Sequence, residues 1–122
     1  TFQYIIKRLN DYDLAYIHLS EPFTDVSNIP YAVQHIAAHF RPLYTGTLMI
    51  NSNFDRESGN KIIEDGNADL VAFGKLFISN PDLVERFKNN YELAEWNEDT
   101  FYTPGKEGYL DYPTYKESNI TV

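Results

Sequence analysis

The chain has 122 residues, of which 43% are hydrophobic and 16% aromatic, and this composition excludes an intrinsically disordered protein. Its 18 acidic and 10 basic residues give a net charge of -8 without a basic cluster, which argues against binding to nucleic acid or to an anionic membrane. We find no secretory signal, no apolar run of the roughly 18 residues that span a bilayer and no cysteine, so we expect a soluble, cytoplasmic protein.

The first two predicted elements are a helix and a strand. Four apolar residues recur at helical spacing behind Thr1, which is placed to act as an N-cap: Phe2, Ile5, Ile6 and Leu9. Residues 14–19 are almost all apolar or aromatic, which predicts a strand covered on both faces, as in a parallel sheet.

A second helix and strand follow the same order. Pro30 is expected in the first turn of a helix over residues 30–40, because proline is tolerated there. Residues 47–51 form the next apolar strand. Asp55 is expected to cap the helix after it, and Gly66 to end that helix.

The third repeat has a strand at residues 69–73 and then a helix with Asn80 as its cap and Pro81 at its first position. The buried stripe of this helix is predicted to be Leu83, Val84 and Phe87. Helices that alternate with strands predict an α/β fold with a parallel sheet and right-handed crossovers. Residues 91–122 are rich in aromatic and turn residues, and we expect an aromatic tail packed on this body.

Three stretches of the chain resemble the Old Yellow Enzyme family of flavin-dependent ene-reductases. They are LAYIHLSEP at residues 14–22, NADLVAFGKLFISNPDLVERF at 67–87 and DTFYTPGKEGYLDYPTY at 99–115. The last two are specific, since a long ordered pattern is matched. The resemblance extends over nearly the whole chain but covers only the C-terminal third of the family pattern.

The resemblance implies that residues 1–122 are a single partial barrel: strands six to eight, with their helices, of a TIM (β/α)8 barrel. A complete barrel takes about 250 residues. It also implies FMN as the cofactor, NADPH or NADH as the hydride donor and an enone as the substrate, whose activated C=C bond is reduced. The family's carbonyl-binding pair and proton-donating tyrosine map upstream of Thr1. No residue is therefore a catalytic candidate, and we expect the isolated chain to be inactive.

By the same resemblance, four residues hold the FMN phosphate: Ser52 and Asn53 after one strand, and Gly74 and Lys75 after the next. Backbone N–H groups at the first three and the cation at Lys75 would bind the anion. The family usually has arginine at position 75 and glycine at position 52. If the turn at Ser52 needs a positive φ, its side chain costs about 1 to 2 kcal/mol.

Phe101 and Tyr102 match the family's aromatic pair. The resemblance implies that Phe101 borders the flavin and that Tyr102 orients the substrate, whereas the alternative is that both rings fill the core.

His35 and His39 are four residues apart on the predicted helix, but HIAAH lacks the glutamate of zinc proteases and a third ligand, so no metal site is predicted. His18 is expected in the core. The acidic residues near the third helix, including Asp82 and Glu98, are expected on a solvated surface.

Two further hypotheses stay open. The first is a non-catalytic α/β fragment that pairs its open strand edges with a second copy or with a partner that carries the missing N-terminal barrel strands. The second is a flavodoxin-like phosphate-binding module, which ranks last because no glycine-rich loop follows the first strand.

Overall fold

A computed structural model describes residues 1–120. The strands are β1 (Ile17–Ser20), β2 (Leu48–Asn51) and β3 (Leu70–Ala72). The helices are α1 (Phe2–Leu9), α2 (Ile36–Phe40), α3 (Arg56–Glu64), α4 (Lys75–Ser79), α5 (Leu83–Asn89) and α6 (Tyr115–Ser118), with 3-10 turns at Arg41–Leu43 and Glu98–Thr100. The chain divides into two compact units, Thr1–Ala72 and a second that begins at Phe73.

The first unit is built on a three-stranded parallel sheet with β2 in the centre. Ile17 of β1 pairs with Leu48, and Asn51 at the end of β2 pairs with Ala72 at the end of β3. The three strands therefore end at the same edge of the sheet. The predicted α/β fold with a parallel sheet is confirmed, although β1 begins three residues later than expected.

The core of this unit lies on one face of the sheet. Leu48 and Ile50 of β2 are fully buried, and α1 and α2 contribute apolar residues over them: Ile6, Ala37 and Phe40. His18 is exposed, so its prediction as a core histidine is wrong. Alternate residues of a strand point to opposite faces, and the core covers only the face that carries Ile17.

An arginine and an aspartate tie the beginnings of β2 and β3 together. Arg41 donates to Asp69 Oδ2 at 2.8 Å and to the carbonyl of Gly46 at 2.7 Å. The Asp69 carboxylate also accepts the N–H of Leu48 at 2.8 Å. The Leu48 N–H and, after it, Arg41 hold the pKa of Asp69 below its usual value against the opposing effect of desolvation. Asp69 is therefore a carboxylate at neutral pH.

The helix predicted for residues 30–40 is wrong in its first half. Residues 29–31 form a turn in which Tyr31 has a φ of 67°, and α2 begins only at Ile36. The Glu21 carboxylate accepts the N–H groups of Ile36 and Ala37 at 2.7 and 3.0 Å. A side chain from a distant part of the sequence thus satisfies the first donors of the helix and favours its later start.

The helix starts in the second unit also differ from the prediction. A short helix, α4, was not predicted, and Asp82 occupies the N-cap of α5 in place of Asn80. Asn80 is fully buried, and its side chain accepts the Ala94 N–H at 2.7 Å and donates to the Leu76 carbonyl at 3.0 Å. Val84 is 66% exposed, so its prediction as a buried residue is wrong.

Arg86 takes the buried position on α5 and organises the second unit. Its side chain is 4% exposed and donates to Asp82 Oδ1 at 2.7 Å, to the Glu92 carbonyl at 2.7 Å and to the Pro113 carbonyl at 3.2 Å. Tyr115 donates its N–H to Asp82 Oδ2 at 2.7 Å, with its ring centroid 5.7 Å from the guanidinium. Asp82 is thus part of a buried network and not of the predicted solvated surface.

We expect Arg86→Met to lower the free energy of unfolding by about 3 kcal/mol, because it leaves a buried carboxylate and two carbonyls without their donor. The matched control is Arg8→Met, which breaks the exposed ion pair with Asp11. That control should cost no more than about 1 kcal/mol. Urea unfolding measures both, and equal losses would contradict the role assigned to Arg86.

We expect Asp82 to make stability sensitive to acid. Burial raises the pKa of Asp82, but the hydrogen bonds from Arg86 and Tyr115 outweigh it and hold the pKa below its usual value. A carboxyl with a lowered folded-state pKa stabilises the fold above its unfolded-state pKa, and this stabilisation is lost as the pH falls through the folded value.

The variant Asp82→Asn lacks this contribution. The difference in free energy of unfolding between wild type and variant should be constant near neutral pH and shrink below about pH 4. Urea midpoints measured across this range give the difference, and a gap that stays constant down to pH 3 would contradict the assignment.

Candidate functional site

The turn that follows β2 holds two of the predicted site residues. Ser52 has a φ of 125° and Asn53 a φ of 40°. These values lie in the region that favours glycine. The turn therefore does require a positive φ at Ser52, and the side chain of Ser52 costs about 1 to 2 kcal/mol of stability. Backbone strain of this kind clusters at functional sites, so the turn is a candidate ligand contact.

The hydroxyl of Ser52 adds a second unusual feature. Ser52 Oγ is buried and has no hydrogen-bond partner among residues 1–120. A buried polar group without a partner costs about 1 to 3 kcal/mol, which a ligand oxygen could recover by accepting this hydroxyl. Both features of Ser52 therefore favour a ligand at this end of the sheet.

A cavity of about 430 Å³ opens beside this turn, within the first unit. Its volume falls in the range of small-molecule sites. The loops after β1 and β2 form its walls, and the lining residues are Glu21, Pro22, Thr24, Asp25, Val26, Gln34, His35, Ser52, Asn53, Phe54, Ser58 and Ile62. This lining contains no lysine or arginine. An anion bound here would depend on backbone N–H groups and hydroxyls.

The helix after this turn is fixed by its own cap. Asp55 accepts the Ser58 N–H at 2.8 Å, and Ser58 Oγ accepts the Asp55 N–H at 3.0 Å. The Ser58 hydroxyl and N–H lower the pKa of Asp55. The predicted cap at Asp55 is confirmed, and Gly66, with a φ of 74°, ends the helix as predicted. The cap at Asp55 thus fixes the start of α3, where the strained turn at Ser52 and Asn53 ends.

Gly74 lies in the second unit at the N-cap of α4. Its φ is -97°, and a Cβ added to it would meet no atom within 4 Å. Neither positive φ nor packing therefore requires glycine here. The open space lets a ligand approach the backbone closely, which is one use of glycine at binding sites.

Lys75 follows Gly74 and is paired with a carboxylate. Its Nζ lies 2.5 Å from Glu98 Oε1, and the side chains are 54% and 62% exposed. Trp96 donates its indole N–H to the same oxygen at 3.3 Å, and the ammonium lies 5.7 Å from its ring centroid. The Lys75 hydrogen bond and then that from Trp96 lower the pKa of Glu98. Sequence reasoning missed this partner of Lys75.

Phe101 and Tyr102 follow the 3-10 turn Glu98–Thr100. Phe101 is half-buried and donates its N–H to the Glu98 carbonyl at 3.2 Å. Tyr102 is 98% exposed, which excludes the core-filling alternative for this ring. The side chain of Tyr102 is free of packing constraints and can contact a ligand.

The histidine pair does not have the predicted helical geometry. His35 lies before α2 with a φ of -120°, whereas His39 lies on the helix and its ring contacts the Gln3 amide at 3.3 Å. Within residues 1–120, no three His, Cys, Asp or Glu side chains are placed to hold a metal ion. None of the helices in this part of the chain is long and apolar enough to cross a membrane.

The first unit thus combines an α/β fold with a strained turn beside a cavity. The sequence matches the model of the NADH:flavin oxidoreductase / NADH oxidase family over residues 2–94. The chain belongs to this family, and the resemblance to the Old Yellow Enzymes is confirmed.

Individual relatives agree with this assignment. Putative 12-oxophytodienoate reductase 3 of Oryza sativa subsp. japonica is 40% identical over 98% of this chain and 32% of its own length. The Old Yellow Enzyme from Trypanosoma cruzi matches 93% of this chain and 29% of its own, at 36% identity and a TM-score of 0.81. Morphinone reductase in complex with tetrahydroNAD matches 98% and 31%, at 33% identity and a TM-score of 0.81.

These structural neighbours are TIM-barrel enzymes. The chain spans about a third of the length of the relatives that it matches.

Two glycine variants separate a conformational role from a ligand role. We expect Gly74→Ala to change the free energy of unfolding by less than about 1 kcal/mol, since a Cβ there meets no atom and φ is negative. Gly66→Ala should lower it by about 1 to 2 kcal/mol, because φ is 74°. Urea unfolding compares the two, and a larger loss for Gly74→Ala would show that this glycine serves the fold.

Proposed function

We propose that this chain is the C-terminal part, strands six to eight with their helices, of the (β/α)8 barrel of an FMN-dependent ene-reductase. The match to the family over residues 2–94 supports the class of enzyme. The names of relatives, 12-oxophytodienoate reductase among them, support reduction of a C=C bond conjugated to a carbonyl group. Three parallel strands with helices between them fit one stretch of such a barrel.

The observation that carries the cofactor assignment is the turn at Ser52, with its positive φ and its unpaired buried hydroxyl. The N–H groups of Ser52 and Asn53 and the Ser52 hydroxyl would donate to the FMN phosphate. In the second unit, the open space at Gly74 admits a ligand to the backbone, and Lys75 supplies a positive charge. Each of these two sets of groups fits an anion by itself, because N–H donors and a cation both stabilise a phosphate.

FMN, when bound, supplies the hydride chemistry, and NADH or NADPH supplies the hydride. The residues of this chain would bind the cofactor and orient the substrate. Phe101 would lie against the flavin, and the exposed ring of Tyr102 would orient the enone substrate. The groups that bind the substrate carbonyl and donate the proton would come from the rest of the barrel, so the 122-residue chain alone should not turn over.

The first test is whether flavin absorbance stays with the purified protein through desalting, measured together with its intact mass. Flavin that stays with the protein beside a second polypeptide supports a barrel completed by another chain. FMN affinity is then compared between two lysine variants, each of which breaks an exposed ion pair: Lys75→Gln and, as the control, Lys61→Gln, which breaks the pair with Asp65.

We expect Lys75→Gln to weaken FMN binding about tenfold, since a charge-assisted hydrogen bond contributes about 1.5 kcal/mol or more. Binding of riboflavin, which lacks the phosphate, should not change. Lys61→Gln should leave both affinities as in the wild type. Equal losses in the two lysine variants would contradict a phosphate contact at Lys75.

A second candidate function is a non-catalytic fragment that associates through its strand edges. β1 and β3 each pair only with β2 among the described residues, and open edges favour association with a second copy or with the missing barrel strands. Colourless protein of 14.2 kDa without a partner would favour this candidate over the flavoenzyme. A dilution series in the ultracentrifuge then tests this candidate. A chain that stays monomeric at every concentration does not associate through its strand edges.

A further inference from the structure

We infer that Glu98 is an internal counter-ion of Lys75 that competes with phosphate for this cation, and so reduces the preference of the chain for phosphorylated over unphosphorylated flavin. The inference rests on the proposed function, in which Lys75 is the cation of the phosphate site. The proposed function names residues that favour phosphate binding, and this inference adds one residue, Glu98, that opposes it.

Glu98 forms an ion pair with the ammonium group of Lys75. Its Oε1 lies 2.5 Å from Lys75 Nζ and accepts the Trp96 indole N–H at 3.3 Å. An ammonium group has three donors, so one bond to Glu98 leaves others free. A phosphate bound by these donors would nevertheless lie beside the Glu98 carboxylate, and two anions at such distances repel each other. Phosphate must therefore displace Glu98 or bind against its charge.

The exposure of the pair makes displacement feasible. The Lys75 and Glu98 side chains are 54% and 62% exposed, whereas those of Arg86 and Asp82 are 4% and 17% exposed. An exposed ion pair contributes little, and its removal corresponds to a change in affinity of about two- to fivefold. Glu98 should therefore weaken phosphate binding without preventing it.

Glu95 is a matched control. It lies three residues before Glu98 and carries the same charge, but Lys75 forms its ion pair with Glu98 and with no other carboxylate among residues 1–120. Glu95→Gln thus changes the net charge as Glu98→Gln does and leaves the ion pair intact. Any difference between these two variants reports the contact rather than the overall charge.

The experiment is a titration of the full chain with inorganic phosphate at constant ionic strength. Trp96 is the only tryptophan of the protein, and its fluorescence and indole N–H resonance report on the Lys75–Glu98 contact. We expect Glu98→Gln to bind phosphate about two- to fivefold more tightly than the wild type. Glu95→Gln should match the wild type, and Lys75→Gln should show no response.

Several results would overturn the inference. These are equal phosphate affinities for wild type and Glu98→Gln, the same gain in Glu95→Gln, no response in any protein, or a response that persists in Lys75→Gln. Titrations with FMN and riboflavin separate this inference from the proposed function. If FMN binds but the phosphate affinities are equal, the inference fails and the function stands. If phosphate behaves as expected but FMN does not bind, the proposed function fails, and with it the part of the inference that concerns flavin, while the competition between Glu98 and phosphate for Lys75 stands.

Discussion

The parallel pairing of β2 with both of its neighbours is the constraint on which the cavity of the first unit depends. Because Ser20 pairs with Asn51, the loops after β1 and β2 leave the sheet at one edge and together enclose the cavity. A slip of one residue would turn Leu48 and Ile50 out of the core, since neighbouring residues of a strand face opposite sides. The ion pair of Arg41 with Asp69 holds the other end of the sheet in the same register.

The elements that the sequence predicted well are those whose signals lie close together in the chain. The apolar stripe of α1 spans two helical turns, and the helix has the predicted bounds, although Thr1 makes no side-chain cap bond. Asp55 reaches its cap partner three residues away, and Gly66 ends the same helix through its own φ. Such features depend on backbone geometry within a few residues, which the sequence displays directly.

The features that the sequence did not predict depend on partners far along the chain. α2 begins where Glu21 caps it, from 15 residues away, and Asn80 bonds to Ala94, 14 residues away, instead of capping α5. In the candidate site, the family resemblance pointed to Lys75 but not to its partner Glu98, which is 23 residues distant. Spacing rules for single helices or strands contain no information about such pairs. They become visible only when the fold brings them together.

The network around Arg86 also sets an order of events during synthesis. Pro113, whose carbonyl accepts a bond from Arg86, is added to the growing chain 27 residues later. Arg41 and Asp69, in contrast, are both present before the second unit has been made. A chain that ends within residues 87–112 lacks the Pro113 carbonyl, so the guanidinium of Arg86 has one acceptor fewer. A trypsin-like protease should therefore cut after Arg86 more readily in a released chain that ends within residues 87–112 than in the 122-residue chain.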